Sequence, residues 1–322
     1  MRHAALVLTA AAALVAAGTA GAQTVGIGTS TPGSFYHSMG SAIAKVVSTK
    51  AGVQARVQPF SSAGVYFPAV NGGDLEYGLG NIYELYLAMK GEAHFKGRPN
   101  PNLRLISLTS PLRVAIFVKK DSPIKSIADL KGKRVPYGYN QQKIIIPLMA
   151  AEFATAGITS KDIVPVPVPN VARGADDFVA GRADSLFFAL GSGKVAEADA
   201  AVGGIRALDI PNTPQNLAAV RKHIPVAYLR LEKPSKRLAG VVGPTHVIAY
   251  DAIFMTNAKQ GEDEVYRITK AMWEHEDELK KSYAGFALFG TATMAKKAPA
   301  PIQYHPGAIR LYKEKGVWPP KE

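Results

Sequence analysis

VGIGTSTPGSFYHSMG (residues 25–40) runs from an apolar, β-prone stretch through a Gly/Ser/Thr/Pro turn into a polar-capped apolar segment. A strand, a glycine turn and a helix start in immediate succession form the opening unit of an open α/β sheet. The same rhythm continues outward from it. Residues 53–59 and 75–79 read as strands, and 35–49, 66–71 and 82–90 as helices stopped by glycine. A polar loop follows over 92–102. Residues 103–108 and 114–118 then read as two strands separated by Ser110-Pro111-Leu112-Arg113. A second βα series comes next, with strands over 163–168 and 184–190 and helices over 144–156, 172–180 and 194–200. Past a helix over 214–223 the pattern predicts one more strand, 247–255, and helices near 263–281 and 306–315. This alternation predicts a mainly parallel sheet in two α/β units, with the ligand edge between them.

The opening loop fails both nucleotide tests. A dinucleotide fingerprint needs a third glycine where Thr31 stands, and a P-loop needs lysine and Ser/Thr where Ser34-Phe35 follow Gly33. What remains is a helix start whose first amides have no carbonyl one turn earlier, a setting that suits a small anion. The other chemical signatures are missing too. HEDEL (residues 275–279) lacks the second histidine of a zinc-protease helix, and His37, His94, His223, His246 and His305 stand apart. No nucleophile elbow occurs, so neither an enzyme nor a cofactor is expected.

Composition agrees with a binding role. The 322 residues are 47% hydrophobic and 20% charged, as in ordinary globular proteins, and suffice for two domains. Cysteine is absent, which excludes disulfides, thiol nucleophiles and thiolate metal sites. Residues 1–22 combine a short basic start, an Ala/Leu/Val run and Ala20-Gly21-Ala22, which reads as a cleavable signal peptide too short to span a bilayer. The mature chain is therefore expected in the periplasm without a membrane anchor. A net charge of +13 favours anionic partners. The basic residues are scattered and the chain is exported, so nucleic acid is not expected.

A second loop has the logic of the first. RVPYGYNQQKIIIPLMA (residues 134–150) passes from a strand through Gly138 to a polar cluster opening an apolar helix. Asn140, Gln141 and Gln142 offer amides there, and Lys143 offers charge.

Together these stretches resemble the substrate-binding receptors of TRAP (tripartite ATP-independent periplasmic) transporters, in their TAXI branch. The resemblance rests on GIGTSTPGSFYHSMGSAIAKVV, on NGGDLEYGLGNIYELYLAMKG with its Phe-x-Gly-Arg sequel, on VKKDSPIKSIADLKGKRVPYG, and on PIQYHPGAIRLYKEKGVW. It spans most of residues 24–318. It implies a two-lobe periplasmic binding protein, type II-like, that closes on a solute by hinge motion and hands it to TRAP permease subunits. It implies a small organic acid or acidic amino acid as ligand, and no catalysis. The lobes are expected at 23–112 with 243–322, and at 113–242.

Carried over by position, the resemblance puts ligand contacts at Thr29, Ser34, Phe35, Tyr36, Ser61, Ser62, Asn81 and Tyr83 in the first lobe. In the second it puts them at Asn140, Gln141, Gln142, Lys143 and near Asp184; beside these, Tyr137 is expected to wall the pocket and Arg113, at the crossover, is a candidate counter-charge. The chain departs from the branch where Phe60-Ser61-Ser62-Ala63 replaces Thr-Gly-Gly-Ser. It departs again where Asn140-Gln141-Gln142-Lys143 replaces Gly-Ser-Gly-Thr. An enzyme on the same fold and a periplasmic sensor partner are the alternative readings.

Overall fold

A computed structural model of the chain describes residues 24–320. The signal segment expected over 1–22 lies outside them. The opening stretch forms β1 (Val25–Thr29) and α1 (Phe35–Lys50), followed by β2 (Ala55–Pro59), α2 (Ala63–Gly72), β3 (Tyr77–Asn81) and α3 (Ile82–Lys90). β1 is buried along its whole length and pairs in parallel with β2 and β3. Gly28 makes room for the layer above. A Cβ there would lie 2.6 Å from Leu75 Cδ2 and 2.9 Å from Tyr66 Cδ2, closer than side chains tolerate.

Gly33, at φ +80°, turns the chain into α1, and Ser34 caps that helix by accepting the His37 N–H at 3.2 Å. Ser34→Ala should cost about 1 kcal/mol of stability, read as a lower urea midpoint with an unchanged slope.

The polar loop leads to β4 (Leu103–Lys119), where the structure differs from the sequence reading. The two strands expected around Ser110–Arg113 are one continuous strand. It runs antiparallel to β10 (Thr245–Asn257), and the register shifts between Asp251 and Ile253, beside Pro111. The irregularity accommodates a residue that cannot donate to the ladder.

The second series gives β5 (Arg134–Tyr137), α4 (Ile145–Ala154), β6 (Val164–Pro167), α5 (Val171–Val179), β7 (Ser185–Ala189) and α6 (Gly193–Ala201). After these come β8 (Ile205–Ala207), α7 (Pro214–His223) and β9 (Tyr228–Glu232). The C-terminal part is α8 (Glu262–Glu274), α9 (Glu276–Ser282) and α10 (Pro306–Glu314). The single helix expected over 263–281 is broken at His275, whose φ −119° and ψ 36° are not helical.

The main sheet has the order β2-β1-β3-β10-β4-β7, with β8 also on β4 and β9 also on β10. The first part of β4 pairs with the last part of β10, which continues onto β3. The last part of β4 pairs with β7 and β8, and the first part of β10 with β9. Two half-sheets are thus joined through β4 and β10. The expectation of a mainly parallel sheet is corrected. Among the described residues the only parallel strand pairings in the main sheet are β1–β2 and β1–β3, and every strand pairing of β4 and β10 is antiparallel, with Leu105 adding one isolated parallel bridge to Tyr304. A helical crossover predicts parallel neighbours, but β10 enters from a distant part of the sequence and closes both halves.

Candidate functional site

Where the two half-sheets meet, the loop after β1 faces the loop before α4. The Gly33 carbonyl accepts the Lys194 N–H at 3.2 Å, so the opening loop abuts the start of α6. Beside this contact lies a small, partly enclosed cavity, with about 50 Å³ that the centre of a water molecule can occupy. One side is built by Ser30, Ser34, Phe35 and Tyr36, with Asn81 and Glu84 from the β3–α3 junction. The other side is Gln142, Ile144, Ile145 and Leu148, closed by Phe187 and Phe188 of β7. Leu112, Val114 and Tyr250 of the crossing strands form the floor.

The polar end of this cavity is a connected cluster. Asn81 caps α3 by accepting the Glu84 N–H at 2.7 Å, and its Nδ2 donates to the Glu84 carboxylate and to the Tyr36 hydroxyl, each at 3.2 Å. His94 Nε2 meets the other Glu84 oxygen at 3.0 Å. Burial pushes the Tyr36 hydroxyl well above the ordinary tyrosine range, and the Glu84 charge adds to this against the opposing Asn81 hydrogen bond. Tyr250 is raised in the same way, by burial and then by Tyr36 and Glu84. Both hydroxyls therefore keep their protons. The Tyr250 hydroxyl is buried and has no partner among the described residues.

Of the residues expected from the sequence, Ser34, Phe35, Tyr36, Asn81 and Gln142 line the cavity. The others lie off it, for separate reasons. The Thr29 hydroxyl is spent on the Ser30 carbonyl at 3.0 Å. Ser62 is buried at the start of α2, Ser61 stands beside it half-buried, and neither reaches the lining. Tyr83 is half-buried on another face of α3 than Glu84. Tyr137 stacks on Phe153, with ring centroids 6.3 Å apart. Asn140, Gln141 and Lys143 are exposed on a loop that folds back as the Gln141 and Gln142 backbone N–H groups both donate to the Pro169 carbonyl at 3.1 Å.

Arg113 sits between Leu112 and Val114, which line the cavity. Strand alternation turns it to the opposite face, where it pairs with Glu232 at 2.8 Å. Asp184 is bound by Arg134 at 2.6 Å and borders a separate open cleft of about 510 Å³. That cleft holds loop ends, lysine stems and an internally satisfied ion pair, without an orphaned buried polar atom. The cavity is the better candidate.

The counter-charges expected from Lys143 and Arg113 are thus not supplied here. No lysine or arginine among the described residues lines the cavity, and its one ionisable carboxyl is Glu84. Sequence reasoning missed Glu84, although Asn81-x-x-Glu84 has capping-box spacing and so marks a glutamate held at a helix start. It also missed Tyr250. Tyr250 carried no signal, being one aromatic in an apolar strand.

A model of the NMT1-like family matches residues 27–316, and the chain belongs to that family. Among solved structures it is similar to a periplasmic transporter, at TM-score 0.52 and 16% identity over 80% of this chain and 82% of that one. It is also similar to the amino acid ABC transporter substrate-binding protein AbpA from Streptococcus pneumoniae, bound to L-arginine, at TM-score 0.49 and 14% identity over 82% and 94%. A further similarity is to a sulfonate-binding protein from Methylobacillus flagellatus, at TM-score 0.46 and 16% identity over 92% and 88%. The fold is that of a periplasmic binding protein, an α/β architecture with helices on a central sheet. No helix of the described residues is long and apolar enough to cross a membrane.

Proposed function

We propose that this chain is an exported solute-binding receptor that encloses a small organic solute between two lobes and delivers it to a TRAP-type permease. The lobes we assign are 24–112 with 243–320, and 113–242. The observation that carries this reading is the partly enclosed cavity at the junction of the half-sheets, walled from both sides and floored by β4 and β10. An enclosed, mostly apolar space with a few convergent polar groups suits capture and release of a small molecule. The TAXI-like motifs support the permease partner, and the sequence of residues 1–22 supports export to the periplasm. The absence of cofactor motifs agrees with binding without turnover.

An organic acid or acidic amino acid is supported by the net charge of +13 and by the amides of Phe35 and Tyr36 at the start of α1. Thermal unfolding across organic acids, amino acids, amines and sugars tests the receptor reading. A ligand at about 100 times its Kd should add about 2.7 kcal/mol and be recovered unchanged. A protein whose melting temperature moves for none of these solutes would not be such a receptor.

A further inference from the structure

Resting on that receptor reading, we infer that the solute carries a protonated nitrogen, an ammonium or amidinium, which the Glu84 carboxylate receives inside the cavity. Glu84 is only 3% exposed, and a carboxylate placed there is costly unless its oxygens are fully engaged. A carboxylate can accept about four hydrogen bonds. Here it has the His94 imidazole on one oxygen and the Asn81 amide on the other, in addition to its place in the cavity wall. The neighbouring groups make the polar end select a donor. Tyr36 and Tyr250 keep their protons and are neutral hydroxyls, and no lysine or arginine of the described residues faces the space.

A bare anion entering this end would meet the Glu84 charge at short range in a dry setting, where repulsion is weakly screened. An ammonium or amidinium would instead form a charge-assisted hydrogen bond to it. The Tyr250 hydroxyl, buried without a partner, is a second and independent sign that something polar completes this end. Its unused proton and lone pairs suit a group that sits between it and Glu84. Apart from Ser30, Ser34 and Gln142 the rest of the lining is apolar, with Phe35, Leu112, Ile145 and Phe187 offering a wall to a short hydrocarbon body. His94 does not line the cavity. It packs on Phe95 with ring centroids 4.3 Å apart and acts as a positioning residue that fixes the carboxylate from behind.

The test compares solutes with and without a protonated nitrogen, by calorimetric titration and thermal shift on the mature chain. L-leucine and 3-methylbutylamine are set against 4-methylpentanoate, and L-glutamate against glutarate. At least one amine-bearing member should bind about 10- to 100-fold tighter than its nitrogen-free counterpart. Glu84→Gln keeps the Asn81 cap and should abolish that difference. Tyr250→Phe should weaken binding of the amine while leaving the melting temperature of the free protein unchanged or higher, since the hydroxyl it removes has no partner.

Equal or tighter binding of the nitrogen-free acids overturns the inference and leaves the receptor reading standing. Retention of the amine preference in Glu84→Gln overturns it as well. If no solute of the wider panel binds at all, the receptor reading falls and the inference with it.

Discussion

Glu232→Ala is expected to destabilise the protein by about 3–5 kcal/mol, because it strands a buried guanidinium. Arg113 is 2% exposed and Glu232 5% exposed. Arg113 Nη1 donates to Glu232 at 2.8 Å, and the second Glu232 oxygen accepts from Arg230 Nε at 2.9 Å. The remaining Arg113 donors, Nε and Nη2, have no partner among the described residues, so Glu232 is its counter-charge. Removing that carboxylate leaves the guanidinium without an acceptor, in a place water does not reach. Burying the pair at all is not expected to be a large net gain, since desolvation offsets much of the attraction. The double variant Arg113→Met, Glu232→Leu should therefore recover to within about 1 kcal/mol of the parent. Urea unfolding of the three proteins measures this. A single-variant loss below about 1 kcal/mol would mean that another group compensates Arg113. The pair ties β9 to β4 across β10, at the strands that join the half-sheets, so the loss should appear in global unfolding.

The regular βα part of the chain was readable because its signals are local. The capping pattern around Ser34 and the stop at Gly91 place α1 and the end of α3 within a residue of where they lie. What failed was long-range. Pro111 looks like a strand breaker in isolation, yet β10 supplies a partner whose register shifts beside it. The parallel sense of the sheet failed for the same reason, since no short window shows that residues 245–257 return antiparallel between β3 and β4. β8 and β9 are short, and their pairing on β4 and β10 is what makes them strands.

The site divides in the same way. Residues on the helix start and caps, Ser34 to Tyr36 and Asn81, reach the cavity because their geometry is fixed within a few residues. Arg113 and Lys143 stand out in the sequence by charge, and charge says nothing of which face a strand residue takes or where a loop folds back. Glu84 was hidden by its second role. A helix-capping glutamate looks structural until its burial beside Tyr36 and His94 is known. The net charge of +13 is a property of the whole chain and does not show that the cavity wall carries a carboxylate.

Glu152→Met should raise stability by about 1–3 kcal/mol at neutral pH, the cost of a buried polar group without hydrogen bonds. Glu152 lies in α4 with 0% exposure, and neither carboxylate oxygen has a partner among the described residues. Burial alone pushes its carboxyl well above the ordinary glutamate range, so the folded protein holds it as the neutral acid. The unfolded chain releases that proton near the ordinary value. From there up to the raised folded value, the folded state binds more protons than the unfolded state. Stability therefore falls as pH rises through that window, by up to about 1.4 kcal/mol per pH unit. Below the ordinary glutamate range both states are protonated and the pH-dependent part vanishes. Methionine fills a similar volume with an unbranched apolar chain and has no such dependence. The advantage of Glu152→Met over the parent should accordingly be larger at pH 8 than at pH 5, with other titrating groups cancelling in the comparison. Urea midpoints of the two proteins at those pH values decide it. A constant gap would mean that the Glu152 carboxyl is ionised in both states and solvated in the fold, and a loss of stability would mean that its oxygens have partners.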